Sequence, residues 1–256
     1  MNNKTAKQYL SLTVMAGIML FTSCDKKKTP EAAKGTATVQ IANKAGSQTL
    51  VLNTGTYLNQ NGDTFSVNMY KYYISNIELI REDGSSYKED YSYHLVDEAQ
   101  TASKSFQLKA IPAGTYTKMK VVLGVDSTHN VSGAQTGDLD PILGMFWEWN
   151  TGYIMAKIEG RSPQSGNTQK IISFHLGGFS GQYSSVKTVM YNLPQALNIT
   201  ATGSPKINIE SDILKWFYGS SLINFQNYNA ITSVGRFSFE ISENYKNHLS
   251  VKSIEP

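Results

Sequence analysis

After residue 36, apolar and polar residues alternate along much of the chain with a period of two, which belongs to half-buried strands. Thr36 to Ala42 sets Val39 and Ile41 on one face. Phe65 to Arg81 is denser, carrying Val67, Met69, Tyr70, Tyr72, Tyr73, Ile74, Ile77, Leu79 and Ile80. It runs into Asp83-Gly84-Ser85-Ser86, turn chemistry that suits a hairpin. Further strands are predicted over Tyr91–Val96, Ser105–Leu108, Tyr116–Val125, Phe146–Glu159, Lys170–Leu176, Val186–Leu193, Lys206–Glu210 and Phe237–Ile241. Only residues 212–218 have helical character, with Ser211 or Asp212 as N-cap. Many short strands with punctuating turns predict an all-β, single-domain antiparallel β-sandwich with long loops and one short helix near 212–218. The longest polar connection, Asp126 to Gly144, is of a length at which loops are often functional.

The pattern differs at the amino terminus. Lys4 and Lys7 precede an apolar run, Leu10 to Phe21, broken only by Ser11, Thr13 and Gly17. The run ends Thr22-Ser23-Cys24. A basic start, a short apolar core and small residues before a cut describe a secretory signal, and the core is too short for a spanning helix. The Cys placement resembles the lipobox of bacterial lipoproteins, in which that cysteine is acylated. Residues 1–23 are therefore expected to be a lipoprotein signal peptide, Cys24 the lipid anchor and 24–35 a flexible tether. The folded domain is expected over 36–256, outside the cytoplasm, in the periplasm or at the cell surface.

Charge and cysteine content then narrow the chemistry. The signal holds two of the 23 basic residues and none of the 20 acids, so the remainder carries about 21 against 20. No nucleic-acid footprint follows from so even a balance. Cys24 is the only cysteine, which excludes a disulfide framework or a thiolate metal cluster. There is no Gly-rich phosphate loop, no His-Glu-x-x-His and no Gly-x-Ser-x-Gly, so nothing points to an enzyme. Asp126, Asn130, Asp138 and Asp140 supply oxygen ligands that calcium could use, without EF-hand spacing.

Trp147 and Trp149 stand two apart in the Phe146–Glu159 strand, which predicts one shared face, joined by Met145. Intact indole is a donor only and a poor metal ligand. Two tryptophans so placed suit core packing, or a sugar-stacking surface if the face is open. A carbohydrate-binding surface lipoprotein is accordingly one functional alternative, and a structural sandwich without ligand another.

The segment Phe146-Trp147-Glu148-Trp149-Asn150-Thr151-Gly152-Tyr153, followed by Lys157, Glu159 and Gly160, resembles the MbnP-like copper-binding proteins. Leu123-Gly124-Val125, His129-Asn130 and Phe174-His175-Leu176-Gly177 fit the same family, as do Tyr72 to Ile77 and Pro112 to Tyr116. The resemblance implies that Trp147 is oxidised to kynurenine by a partner MbnH/MauG-type di-haem cytochrome c peroxidase. It also implies that Cu(I) is bound afterwards, for storage or handling. Kynurenine frees an aryl amine, and imidazole suits copper. Of the four histidines, His175 and His129 are the expected ligands beside Trp147, with His94 in reserve. His248 is expected to be exposed. Met145, Trp149 and Tyr153 are expected to support the site.

Overall fold

A computed structural model describes residues 33–133, 135–147, 149 and 152–256. The proposed signal and nearly all of the tether, Cys24 included, lie outside the described residues. In chain order the strands begin β1 (Lys34–Ala45), β2 (Gln48–Thr49), β3 (Tyr57–Leu58), β4 (Thr64–Ile80) and β5 (Ser86–Lys88). They continue β6 (Tyr93–Asp97), β7 (Ser105–Pro112), β8 (Gly114–Leu123), β9 (Phe146–Trp147) and β10 (Gly152–Arg161). The rest are β11 (Ile171–Gly177), β12 (Lys187–Ile199), β13 (Lys206–Asp212), β14 (Ala230–Ile231) and β15 (Leu249–Glu255). Among the described residues two α-helices, α1 (Ser127–Asn130) and α2 (Arg236–Tyr245), accompany them.

The strands form two sheets, as the alternation predicts. The smaller runs β15-β13-β1-β2, with β7 also on β1. The larger runs β12-β8-β4-β10-β11-β14, with β3, β5 and β6 added to β4, and β9 to β10. Pairing is antiparallel except between β1 and β13 and between β11 and β14, among the described residues.

Between the sheets lies the main core, where Val39, Ile41, Ile207 and Ile209 join Tyr70, Tyr72, Ile74, Ala156 and Ile158. Strand β4 has aromatic and β-branched residues on both faces, and Tyr72 to Ser75 are buried on both. The inner face meets the main core. The outer face is covered by the 125–146 connection, giving a second cluster of Tyr73, Tyr93, Leu95, Val125, Leu139, Met145, Trp147, Tyr153, Ile154 and Met155. The long loop is thus a second lid of core, and it contains α1 and two 3-10 turns, at Gly137–Leu139 and Pro141–Leu143.

Four sequence expectations need correction. Phe237–Ile241 is helical, inside α2, whose buried residues Ser238, Ile241, Ser242, Asn244 and Tyr245 follow a helical and not a strand period. The strand predicted over Phe146–Glu159 is two strands, β9 and β10, and the chain reverses between them because Trp147 pairs with Gly152. His248 is not exposed but 1 % accessible, stacked on Tyr245 at 4.1 Å, and burial holds its pKa down at about 3. The short helix expected near 212–218 is a 3-10 turn, Ile213–Trp216, with the Asp212 side chain capping Leu214 N.

Candidate metal-binding site around Trp147

Residues 143–147 cross the outer face of the large sheet, and three contacts fix the crossing. Lys71 of β4, Lys157 of β10 and His175 of β11 form one cross-strand row. Lys71 Nζ donates to the Leu143 carbonyl at 3.1 Å, and Lys157 Nζ to that of Gly144 at 3.4 Å. Trp147 then arrives over β11, on Gly177, where a Cβ would come within 2.0 Å of its Cζ3. Only glycine leaves room there. Gly177 and His175 are two residues apart and share a face of the strand. The loop therefore sets the Trp147 benzo ring over Gly177, two residues along β11 from His175.

Trp147 is 5 % exposed, while Trp149, 67 % exposed, stands in the turn with its ring centroid 5.5 Å away and tilted by 42°. The two indoles do not share a strand face, because β9 ends at Trp147. With one of them buried they form no paired, open stacking platform of the kind a sugar-binding surface uses. Met145 does join Trp147 in the second cluster, fully buried, with its carbonyl accepting from Ile154 N. A cleft of about 260 Å³ opens onto Trp147, lined also by Gly152, Tyr153, Gly178, Phe179, Ser180 and Val234.

Tyr153 braces this end of the sheet. Its hydroxyl donates to the Leu139 carbonyl at 2.6 Å, and its ring meets Tyr73 and Phe146 edge-on. Its backbone N–H donates to Asn130 Oδ1 at 2.8 Å, and Asn130 Nδ2 donates to the Val125 and Asp126 carbonyls. Asn130 is also the neighbour a Cβ on Gly152 would meet, at 3.2 Å. The residue after His129 thus ties α1 to the β9–β10 turn.

The two expected histidine ligands have different settings. His175 is part-buried, its Nε2 2.7 Å from Glu159 Oε1 and 3.3 Å from Ser173 Oγ. The His175 hydrogen bond, aided by Lys157, holds the Glu159 carboxyl below the usual range despite partial burial. His129 lies on α1, its Nδ1 2.5 Å from Tyr93 Oη and 3.1 Å from Asp126 Oδ1. Burial pushes the Asp126 pKa up, but hydrogen bonds from Tyr93, Asn76 and His129 outweigh it and hold the carboxyl well below the usual range. Trp147 therefore lies two residues along β11 from His175, whereas His129 sits apart with Tyr91, Tyr93 and Asp126, with no hydrogen bond or ring contact to Trp147 or His175 among the described residues. No three His, Cys, Asp or Glu side chains converge as a ready metal cage among the described residues.

His94 and the oxygen-bearing loop residues are committed elsewhere. His94 is stacked flat on Phe106 at 3.7 Å, with its Nε2 2.9 Å from Glu89. Asp138 accepts from Leu95 N, Asp140 caps Ile142 N, and Asp126 and Asn130 are bonded as above, so each calcium candidate has a local structural partner. Glu159 and Gly177 fall within the family pattern, which gives them no role, and Tyr93 falls outside it. Their roles come from strand register and from one interatomic approach, which leave no local signature.

The chain is thus a two-sheet β-sandwich whose larger sheet is roofed on its outer face by a loop carrying a buried tryptophan. The MbnP family model matches residues 34–233, and the chain belongs to that family. The fold is similar to that of MbnP from Methylosinus trichosporium, at 15 % identity and TM-score 0.52, covering 74 % of this chain and 79 % of that one. No curated protein matches the chain.

Proposed function

We propose that this protein is an envelope-anchored lipoprotein that binds copper as Cu(I), for storage or handling, after Trp147 has been oxidised to kynurenine. The oxidation is carried out by a partner MbnH/MauG-type di-haem peroxidase, and the protein itself is a binder and not an enzyme. Cleavage of the indole C2–C3 bond by the peroxidase consumes two equivalents of hydrogen peroxide, leaving one oxygen atom on each carbon and releasing two waters, and hydrolysis of the resulting formamide releases formate. An aryl amine and a ketone remain, a nitrogen donor where indole had none. Imidazole nitrogens of His175 and His129 complete a donor set that suits Cu(I). The acylated Cys24 contributes no thiolate.

The observation that carries this reading is the seating of Trp147 on Gly177, next to His175, under a loop that opens as a cleft. Family membership supports it. The donor chemistry fits too, since each histidine keeps one ring nitrogen without a partner among the described residues. The test is a Cu(I) titration against a chromophoric chelator, using full chain produced with and without the peroxidase. Tight, stoichiometric binding is expected only from the co-produced protein. Equal affinity for the two preparations contradicts the need for kynurenine, and no binding by the modified chain contradicts the function.

A further inference from the structure

Trp147 is only 5 % exposed, so its ring offers little surface to the haem of another protein. Among the described residues its one ring contact is Trp149, whose centroid lies 5.5 Å away at an interplanar angle of 42°. Trp149 is 67 % exposed and reaches the surface that a docked protein would cover. The pair therefore joins interior to surface in a single step between two oxidisable rings. The other aromatic way out of the cleft leads inward. Tyr153 lines the same cleft as Trp147 and meets Tyr73 edge-on at 5.9 Å, but both tyrosines are buried. A tyrosine sheds its phenolic proton when oxidised, and these two hydroxyls donate to the Leu139 and Asp138 carbonyls, which accept a hydrogen bond but do not take the proton. An indole passes an electron on without having to surrender its proton.

We propose that Trp149 is an electron relay, which carries electrons from buried Trp147 to the docked peroxidase and returns unchanged while Trp147 becomes kynurenine. The relay rests on the oxidation of Trp147 proposed above, and it involves no metal held by this chain. As its C2–C3 bond breaks, Trp147 gives up four electrons and four protons, and two waters supply the oxygen of the two new carbonyl groups. The electrons pass one at a time through Trp149 to the peroxidase haems. There they and the four protons reduce two molecules of hydrogen peroxide to four waters, so that two peroxides are consumed and two waters released in all. The fold sets up both ends of this path. Gly177 fixes the seat of Trp147, and the chain reversal that pairs Trp147 with Gly152 places Trp149 outside the strand yet still against the buried ring.

Time courses of kynurenine formation at Trp147 test this, using the full chain in detergent micelles with the purified peroxidase and hydrogen peroxide. The parent is compared with Trp149→Phe and Trp149→Tyr. Both variants keep an aromatic ring at the surface, but only tyrosine, with water to take its proton, is readily oxidised. Trp149→Phe should lose at least about 10-fold in kcat, equivalent to a barrier higher by about 1.4 kcal/mol, while KM for the chain holds. Trp149→Tyr should recover most of that rate. An unchanged rate in Trp149→Phe overturns the relay. Equal losses in the two variants, or a loss confined to KM, overturn it as well and make Trp149 a docking residue. A parent chain that forms no kynurenine contradicts the oxidation itself and takes the relay with it, whereas failure of the relay alone leaves the parent forming kynurenine at its full rate.

Discussion

Replacing Gly177 with alanine probes the site through one methyl group. The new Cβ would lie 2.0 Å from Trp147 Cζ3 and 2.2 Å from Cη2. Carbon atoms in contact settle at about 3.5–4.0 Å, so something must yield by about 1.5 Å. The strand is poorly placed to yield, because Gly177 N donates to Ser238 Oγ and Gly177 O accepts from it, at 3.1 and 3.3 Å. Gly177 is also not among the residues with positive φ, so alanine meets no backbone strain and the effect is steric. The indole must therefore lift or tilt. Overpacking of this kind costs about 1–3 kcal/mol, which urea unfolding followed by tryptophan fluorescence will register. A reacting group displaced by about 1 Å can lose about 100-fold in rate, so kynurenine formation at Trp147 should fall steeply in the same variant. If Gly177→Ala unfolds within about 0.5 kcal/mol of the parent and forms kynurenine as readily, Trp147 is not seated on Gly177 as described.

Three further outcomes are expected. His248 is buried with its pKa lowered from 6.5 to about 3, chiefly by burial, so its neutral form stabilises the fold fully above pH 6.5 and progressively less as pH falls toward 3. At about 1.4 kcal/mol per decade the full effect is of the order of 5 kcal/mol, and His248→Phe should flatten the loss of urea stability between pH 7 and 4; an unchanged acid limb contradicts this. Asn130→Ala removes the partners of Tyr153 N and of the Val125 and Asp126 carbonyls, and should cost about 3 kcal/mol in the same unfolding assay, with a negligible change counting against the tie between α1 and β10. Cys24→Ser should move the protein from the membrane to the soluble fraction on fractionation, and retention in the membrane would contradict the lipid anchor.

Much of the sandwich was legible in the sequence because its strands declare themselves locally. Strand β4 carries Val67, Tyr70, Tyr72, Tyr73 and Ile74 in a β-favouring stretch, and the structure shifts its bounds by one residue, to Thr64–Ile80. Helix α2 was illegible because Phe237, Phe239 and Ile241 imitate a period of two. Its buried face relies on serines and an asparagine, whose burial only tertiary hydrogen bonds explain, such as Ser238 to Gly177 and Asn244 to the Trp216 carbonyl. His248 departs from expectation for a related reason: a polar residue near the chain end is ordinarily exposed, but here Tyr245 and Tyr72 enclose it. At the site, Trp147, His175 and Tyr153 stand out by residue type and family pattern. The reversal that parts Trp149 from Trp147 does not, and neither does the register that sets Glu159 diagonally across from His175, since both depend on how β9, β10 and β11 align.

The central claim is that Trp147 is chemically altered to make a copper ligand, and peptide mass spectrometry of protein from its native cells measures that directly. With the peroxidase present and copper replete, the peptide holding Trp147 should gain two oxygen atoms and lose the elements of carbon monoxide, while Trp149 stays intact. An unmodified indole at Trp147 under those conditions would contradict the account.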